Sequence, residues 1–372
     1  MIVKNVKIFR EDGSFEQGEI VIEGERFAEA TSDETVIDGN GCYAIPGLTD
    51  VHFHGCVGYD FCDGTEEAIS AMAEYELANG VTAINPATMT LSEEMLTKIA
   101  RAAAAHENGS GADLVGINME GPFISMEKKG AQNPEYIVNP DVDMFRRLQK
   151  EANGLFKLCD IAPELDGALE FIDELKDEVR ISVAHTCANY DEAKAAFDHG
   201  ATQVTHLYNA MNPLTHRAPG VIGAASENEN VYAEMICDGV HIHQSAIRAA
   251  FKMFGDDRII LISDSMMATG KPDGQYSLGG QDVTVKGAYA TLTEGGNLAG
   301  SVTNLMNCVR YAVKTAGIPL GSAIKCAAVN SAKSVGIYDN YGSITAGKLA
   351  NLVLLDENLD ITRIIKRGTV VR

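Results

Sequence analysis

The stretch TDVHFHGCVG, residues 49–58, places His52 and His54 two positions apart. Alternate side chains of a β-strand share a face, so both imidazoles point the same way. The residues before them, AIPGL, are apolar and read as the body of a strand that ends at this histidine pair. What that face holds depends on what the ends of the neighbouring strands bring to it.

Outward from this strand, short Val-, Ile- and Ala-rich runs alternate with amphipathic stretches across residues 45–265, the pattern of βα units around a parallel sheet. Eight strands are predicted: Ala44–His54, Val81–Ala87, Leu114–Glu120, Lys157–Pro163, Ile181–His185, Gln203–Leu207, Tyr232–Cys237 and Arg258–Asp264. Stretches such as TEEAISAMAEYELANG and SEEMLTKIARAAAAHE open with a Thr or Ser N-cap and early carboxylates that suit a helix dipole. Eight such units predict an α/β fold with a (β/α)8 TIM-like barrel over residues 44–335. Residues 1–43 and 336–372 are short alternating strands with Gly turns, expected to pair into one small β-sandwich formed by both termini. The segment GQYSLGGQDVTVKGAYATLTEGGNLAG, residues 274–300, reads as a hairpin insertion on the barrel rim.

Barrel chemistry collects at the C-terminal ends of the strands. There the predicted strands carry His52 and His54 (first), Glu120 (third), His185 (fifth), His206 (sixth) and Asp264 (eighth). One such residue alone is most simply a satisfied polar group at the edge of the core. Six converging on one rim would bury several ionisable groups at a cost that a bound cation removes. Imidazoles and carboxylates are the donors of Zn²⁺ or Fe²⁺, with bonds of ~2.0–2.2 Å. His106 and His199 fall at helix ends and read as structural, His216 and His243 stay unassigned, and Met266 and Met267 read as packing.

A formal charge of −22 opposes nucleic acid and anionic membranes as partners, so an anionic substrate needs local cations. No run of about eighteen apolar residues and no signal-like N-terminus is present, which sets the cytoplasm as the expected compartment. The eight cysteines show no CxxC pair and read as reduced thiols.

PGLTDVHFHG (46–55), the strand-end His and Asp residues and AGKLANLVLL (346–355) resemble the amidohydrolase superfamily. MEGPFISMEKKGAQNP (119–134), VTHLYNAMNPLTHRAPG (204–220), DGVHIH (238–243), LISDSMMATG (261–270) and NLAGS (297–301) are similar to its branch that deacetylates amino-sugar 6-phosphates. The resemblance implies Glu120, His185 and His206 as main metal ligands, Asp264 as catalytic carboxylate, and His52 and His54 as ligands of a second ion bridged through Glu120. One or two divalent ions per subunit follow, Zn²⁺ foremost and Fe²⁺ next. Asn209, the Ala210 N–H and His241 align with phosphate contacts. Arg217 aligns with an arginine reaching the phosphate of the neighbouring subunit, which implies a homodimer. Ala131 and Gln132 align with sugar contacts, and Leu298, Ala299 and Gly300 with a loop closing over the amide. Many members carry KKGTHNP or KKGAHNP where this chain has KKGAQNP, so Gln132 can donate a hydrogen bond but cannot act as a charged electrophile.

The implied reaction is hydrolysis of the N-acetyl group of N-acetyl-D-glucosamine 6-phosphate to acetate and D-glucosamine 6-phosphate. Its nucleophile is a metal-activated water, with Asp264 as general base and then acid. Rival readings are another amidohydrolase (a D-aminoacylase, a dihydroorotase-like enzyme or a deaminase), a phosphosugar barrel doing aldol or isomerase chemistry, and a non-catalytic relative. The fourth strand, KLCDIAPE, offers no lysine at its end to bridge two metals, and no strand-end lysine suits a Schiff base. The intact ligand set with Asp264 weighs against a non-catalytic protein.

Overall fold

The computed structural model describes all 372 residues. Parallel strands occupy eight barrel positions: Leu48–Asp50, Val81–Ile84, Asp113–Leu114 with Ile117–Met119, Phe156–Ile161, Arg180–Val183, Gln203–Val204, Tyr232–Ile236 and Ile259–Ile262. They pair in sequence order as two arcs. A parallel bridge between Ala87 and Asn118 joins the arcs on one side. On the other, Asp264 N–H donates to the His52 carbonyl (2.9 Å) and His54 N–H to the Ser265 carbonyl (2.7 Å). The ring therefore closes beside the histidine pair.

The strands are short but almost wholly buried, because helices such as Glu66–Ala78 and Glu93–Ala105 cover the barrel from outside. Thr65 and Ser92 cap these two helices, accepting from the Ala68 and Met95 N–H groups. One core of 85 buried residues runs through barrel and helices. No helix is long and apolar enough to cross a membrane.

The stretch expected as one first strand, Ala44–His54, is divided. Tyr43–Pro46 belongs to the terminal sheet, antiparallel to Leu352–Leu355 and parallel to Ile2–Phe9, and only Leu48–Asp50 pairs into the barrel. Gly47 makes the crossing, where a Cβ would collide with the Thr82 side chain. The terminal sheet has eight strands drawn from both ends of the chain, over a separate core of 13 buried residues. The rim insertion contains three antiparallel strands, Gly274–Leu278, Gln281–Lys286 and Tyr289–Leu292, one more than a hairpin. All eight cysteines are unpaired.

Candidate active site

The six strand-end residues meet at one end of the barrel. His185 Nε2 and His206 Nε2 lie 3.1 and 3.2 Å from Glu120 Oε1, and 3.1 Å from each other. His52 Nε2 approaches the same Oε1 at 3.4 Å, while His54 Nε2 lies 3.3 Å from Glu120 Oε2 and 3.3 Å from Asp264 Oδ1. None of the six is more than 7% exposed.

Backbone conformation aims three of these side chains. His185, His206 and Asp264 have φ of 43°, 32° and 48°, the left-handed region, where each strand stops and turns. For residues with a Cβ this costs about 1–3 kcal/mol each, and such strain gathers where function requires it.

The donor set fits divalent cations. Ligand atoms ~2.0–2.1 Å from a tetrahedral ion stand about 3.3 Å apart, close to the separations within Glu120, His185 and His206. Those three form one potential metal group, and His52, His54 and Glu120 a second that shares Glu120. His52 Nε2 is buried without any hydrogen-bond partner, as expected of a nitrogen kept for an ion. On the outer side, His185 Nδ1 meets the Lys128 carbonyl at 2.8 Å and His52 Nδ1 meets Glu234 Oε2 at 3.0 Å, contacts that fix ring orientation.

Electrostatics point the same way. Burial pulls the His54 imidazole down, yet its bonds to Asp264 and Glu120 outweigh that and push it up to about 10. His52 is raised by Glu120 and Glu234 against the same burial. Asp264 is held below the usual carboxylate range: burial would raise it, but the His54 contact and both imidazoles dominate. These acids favour positive charge among them and are themselves held ionised by it.

Above the cluster opens a cavity of about 360 Å³, within the ~300–1,000 Å³ usual for small-molecule sites. Of the substrate-contact candidates, Ala131, Gln132, Asn209, Ala210, His241, Leu298 and Gly300 line it. Ala299 does not: it is fully buried and gives its N–H to the Ala290 carbonyl. Arg217 is exposed on the 206–220 loop, in a separate groove with Asn189, Tyr190 and Glu227, and does not reach the cavity of its own chain. The Ala210 N–H donates to nothing within the chain. His241 Nδ1 bonds Asp238 Oδ2 at 2.8 Å; burial opposes the charged ring, but this bond prevails and raises its pKa.

Gln132 is more constrained than its sequence suggests. Its Oε1 accepts the Thr90 N–H (2.6 Å), which fixes the amide so that Nε2 donates to Glu120 Oε2 (2.7 Å). Lys128 and Glu234 escaped the sequence reading. Lys128 adds a cation to the cavity wall and holds His185 through its carbonyl. An acid inside the apolar run YAEMI was the available signal for Glu234. His106 and His199 lie outside the site and pair with Glu66 and Asp173.

Residues 43–371 match the amidohydrolase family model. The chain is 36% identical to the N-acetylglucosamine-6-phosphate deacetylase of Bacillus subtilis (strain 168), covering 100% of this chain and 96% of that relative. It is 33% identical to the N-acetylgalactosamine-6-phosphate deacetylase of Escherichia coli O157:H7, over 87% of this chain and 86% of that one. Among solved structures, a mutant N-acetyl-D-glucosamine-6-phosphate deacetylase from Mycobacterium smegmatis, in complex with N-acetyl-D-glucosamine-6-phosphate, superposes with a TM-score of 0.93. The two are 31% identical, over 100% of this chain and 99% of that one.

Proposed function

The chain belongs to the amidohydrolase family, and from that premise we propose that it hydrolyses the acetamide of N-acetyl-D-glucosamine 6-phosphate, releasing acetate and D-glucosamine 6-phosphate in amino-sugar catabolism. One observation carries the reading: the cavity joins the Glu120, His185 and His206 cluster and Asp264 to His241, Lys128 and the free Ala210 N–H, groups suited to a phosphorylated substrate.

Glu120, His185 and His206 would hold one divalent ion, and His52 and His54 would hold a second together with Glu120; Zn²⁺ suits these donors best and Fe²⁺ next. Such an ion supplies Lewis-acid polarisation and lowers the pKa of bound water from 15.7 to about 7.

Asp264, ionised at neutral pH, takes the proton of the attacking water on Oδ1 or Oδ2 and returns it to the departing amine nitrogen. His54, beside Oδ1, keeps the carboxylate aimed at the reacting carbon. His241, Asn209 and the Ala210 N–H bind the phosphate, and Arg217 reaches it from the partner subunit of a homodimer. Ala131 and the second N–H of Gln132 face the sugar, while Leu298, Gly300 and the rim strands keep bulk water from the amide. The charged phosphate retains the substrate inside the cell, which makes the cytoplasm the working compartment.

The galactosamine-named relative favours a second reading, in which the C4 epimer is accepted. Acetate release from the N-acetylglucosamine and N-acetylgalactosamine 6-phosphates, compared with unphosphorylated N-acetylglucosamine, tests both. The first reading predicts kcat/KM highest for the glucosamine phosphate and at least about 100-fold lower without phosphate, the loss expected when charge-assisted contacts go unmade. Equal turnover of the unphosphorylated sugar would remove the phosphate assignment, and preference for the galacto epimer would select the second reading.

A further inference from the structure

Glu234 stands on the barrel strand Tyr232–Ile236 and is completely buried. A carboxylate in such a place is costly unless its oxygens are bonded and its charge is met. No Lys or Arg pairs with it; its one ionic contact is His52. Oε1 accepts from Gln203 Nε2 at 2.5 Å. Oε2 faces His52 Nδ1 at 3.0 Å and the His206 backbone N–H at 3.4 Å. One carboxylate therefore touches a residue of each candidate metal group.

The contact with His52 decides a tautomer. An ionised carboxylate only accepts, so the proton of a neutral His52 must sit on Nδ1. Nε2 then carries its lone pair toward the cluster, where it lies 3.4 Å from Glu120 Oε1 with no hydrogen-bond partner. A competing group points the other way. Asn118 Nδ2 lies 3.4 Å from the same Nδ1, and a donor there selects the ring form protonated on Nε2, which cannot bind a metal through that atom. The shorter, charge-assisted bond to Glu234 wins that contest. Among the four imidazoles this arrangement is particular to His52. Nδ1 of His54 and of His206 has no partner, and Nδ1 of His185 meets a backbone carbonyl.

We propose that Glu234 is a positioning residue that makes His52 a metal ligand, and that binding at the His52, His54 and Glu120 site depends on it. The proposal rests on the reading that this site holds the second ion. Glu234 does not line the cavity, so its effect runs through His52 and the metal.

The test is metal stoichiometry and affinity, by elemental analysis and chelator competition, in wild type, Glu234→Ala, Glu234→Gln and the His52→Ala, His54→Ala double variant. Gln at 234 can still accept from His52 Nδ1–H. Gln203 can turn its amide to suit, since its Oε1 is buried and unpartnered. Expected are two equivalents in wild type, one in Glu234→Ala, and two in Glu234→Gln with the weaker equivalent bound about 10–100-fold less tightly, the usual effect of altering a residue behind a ligand. Two equivalents of undiminished affinity in Glu234→Ala would overturn the role of Glu234 while leaving the two-site reading intact. A single equivalent in wild type, unchanged in the double histidine variant, would overturn both. Should Glu234→Ala fail to fold, Glu234→Gln decides, and unchanged affinity for its second equivalent overturns the proposal.

Discussion

His54 Nε2 lies 3.3 Å from Asp264 Oδ1, so the group proposed to move the proton is held by a residue proposed to hold metal. Orientation and charge of Asp264 are thus coupled to the first barrel strand. Asp264→Asn keeps the shape but cannot accept a proton. We expect kcat to fall by about 10²–10⁴-fold with metal content retained, checked by acetate release and elemental analysis on the same sample. Full activity in the variant would remove Asp264 from proton transfer.

The double variant His52→Ala, His54→Ala should lose one metal equivalent and keep the other, because Glu120, His185 and His206 form a complete group without them. Activity should fall but not vanish. Loss of both equivalents would mean that the sites are not separable.

Asp238→Asn should change the pH dependence of KM. In wild type the bond to Asp238 raises the His241 pKa, so the ring stays cationic above its ordinary 6.5 and releases its proton only at higher pH. The KM for the phosphorylated substrate is expected to climb only at a pH above that at which an ordinary imidazole loses its proton. In the variant the climb should begin at lower pH with kcat little altered. Superimposable KM profiles would contradict the role of the pair.

Glu76→Gln should stabilise the protein, and more so as pH rises. Both Glu76 carboxyl oxygens are buried without partners, and burial, aided by the Asp50 carboxyl, raises its pKa well above 4.5. The folded chain then keeps a proton that the unfolded chain releases, so Glu76 subtracts stability from about pH 4.5 upward until its folded pKa is passed. A gain of about 1–3 kcal/mol is expected near pH 8 and little near pH 5, read from denaturant midpoints at both values. An equal or larger gain at pH 5 would contradict it.

The strand-end residues were legible because each interrupts an apolar run at the place where a barrel keeps its chemistry. The eightfold alternation gave the fold for the same reason, as period and strand length are local properties. The division at Gly47 was not legible. Tyr43–Pro46 and Leu48–Asp50 have the same character, and only pairing with Leu352–Leu355, at the far end of the chain, assigns the first to another sheet. Nor could sequence reveal that Gln132 spends its amide on Thr90 and Glu120, or that Glu234 faces His52 across the barrel. Those contacts depend on side-chain direction between segments remote in the chain. Of the triplet Leu298, Ala299 and Gly300, the first and last line the cavity and Ala299 packs behind them, a difference in side-chain direction that the run NLAGS does not display.

The most direct test of the central claim is acetate release from N-acetyl-D-glucosamine 6-phosphate by protein stripped with chelator and then reloaded with Zn²⁺ or Fe²⁺. Activity should disappear on stripping and return with the ion, in proportion to occupancy of the Glu120, His185 and His206 group. Undiminished acetate release by fully metal-free protein would contradict the account, as would a fully reloaded protein that releases none.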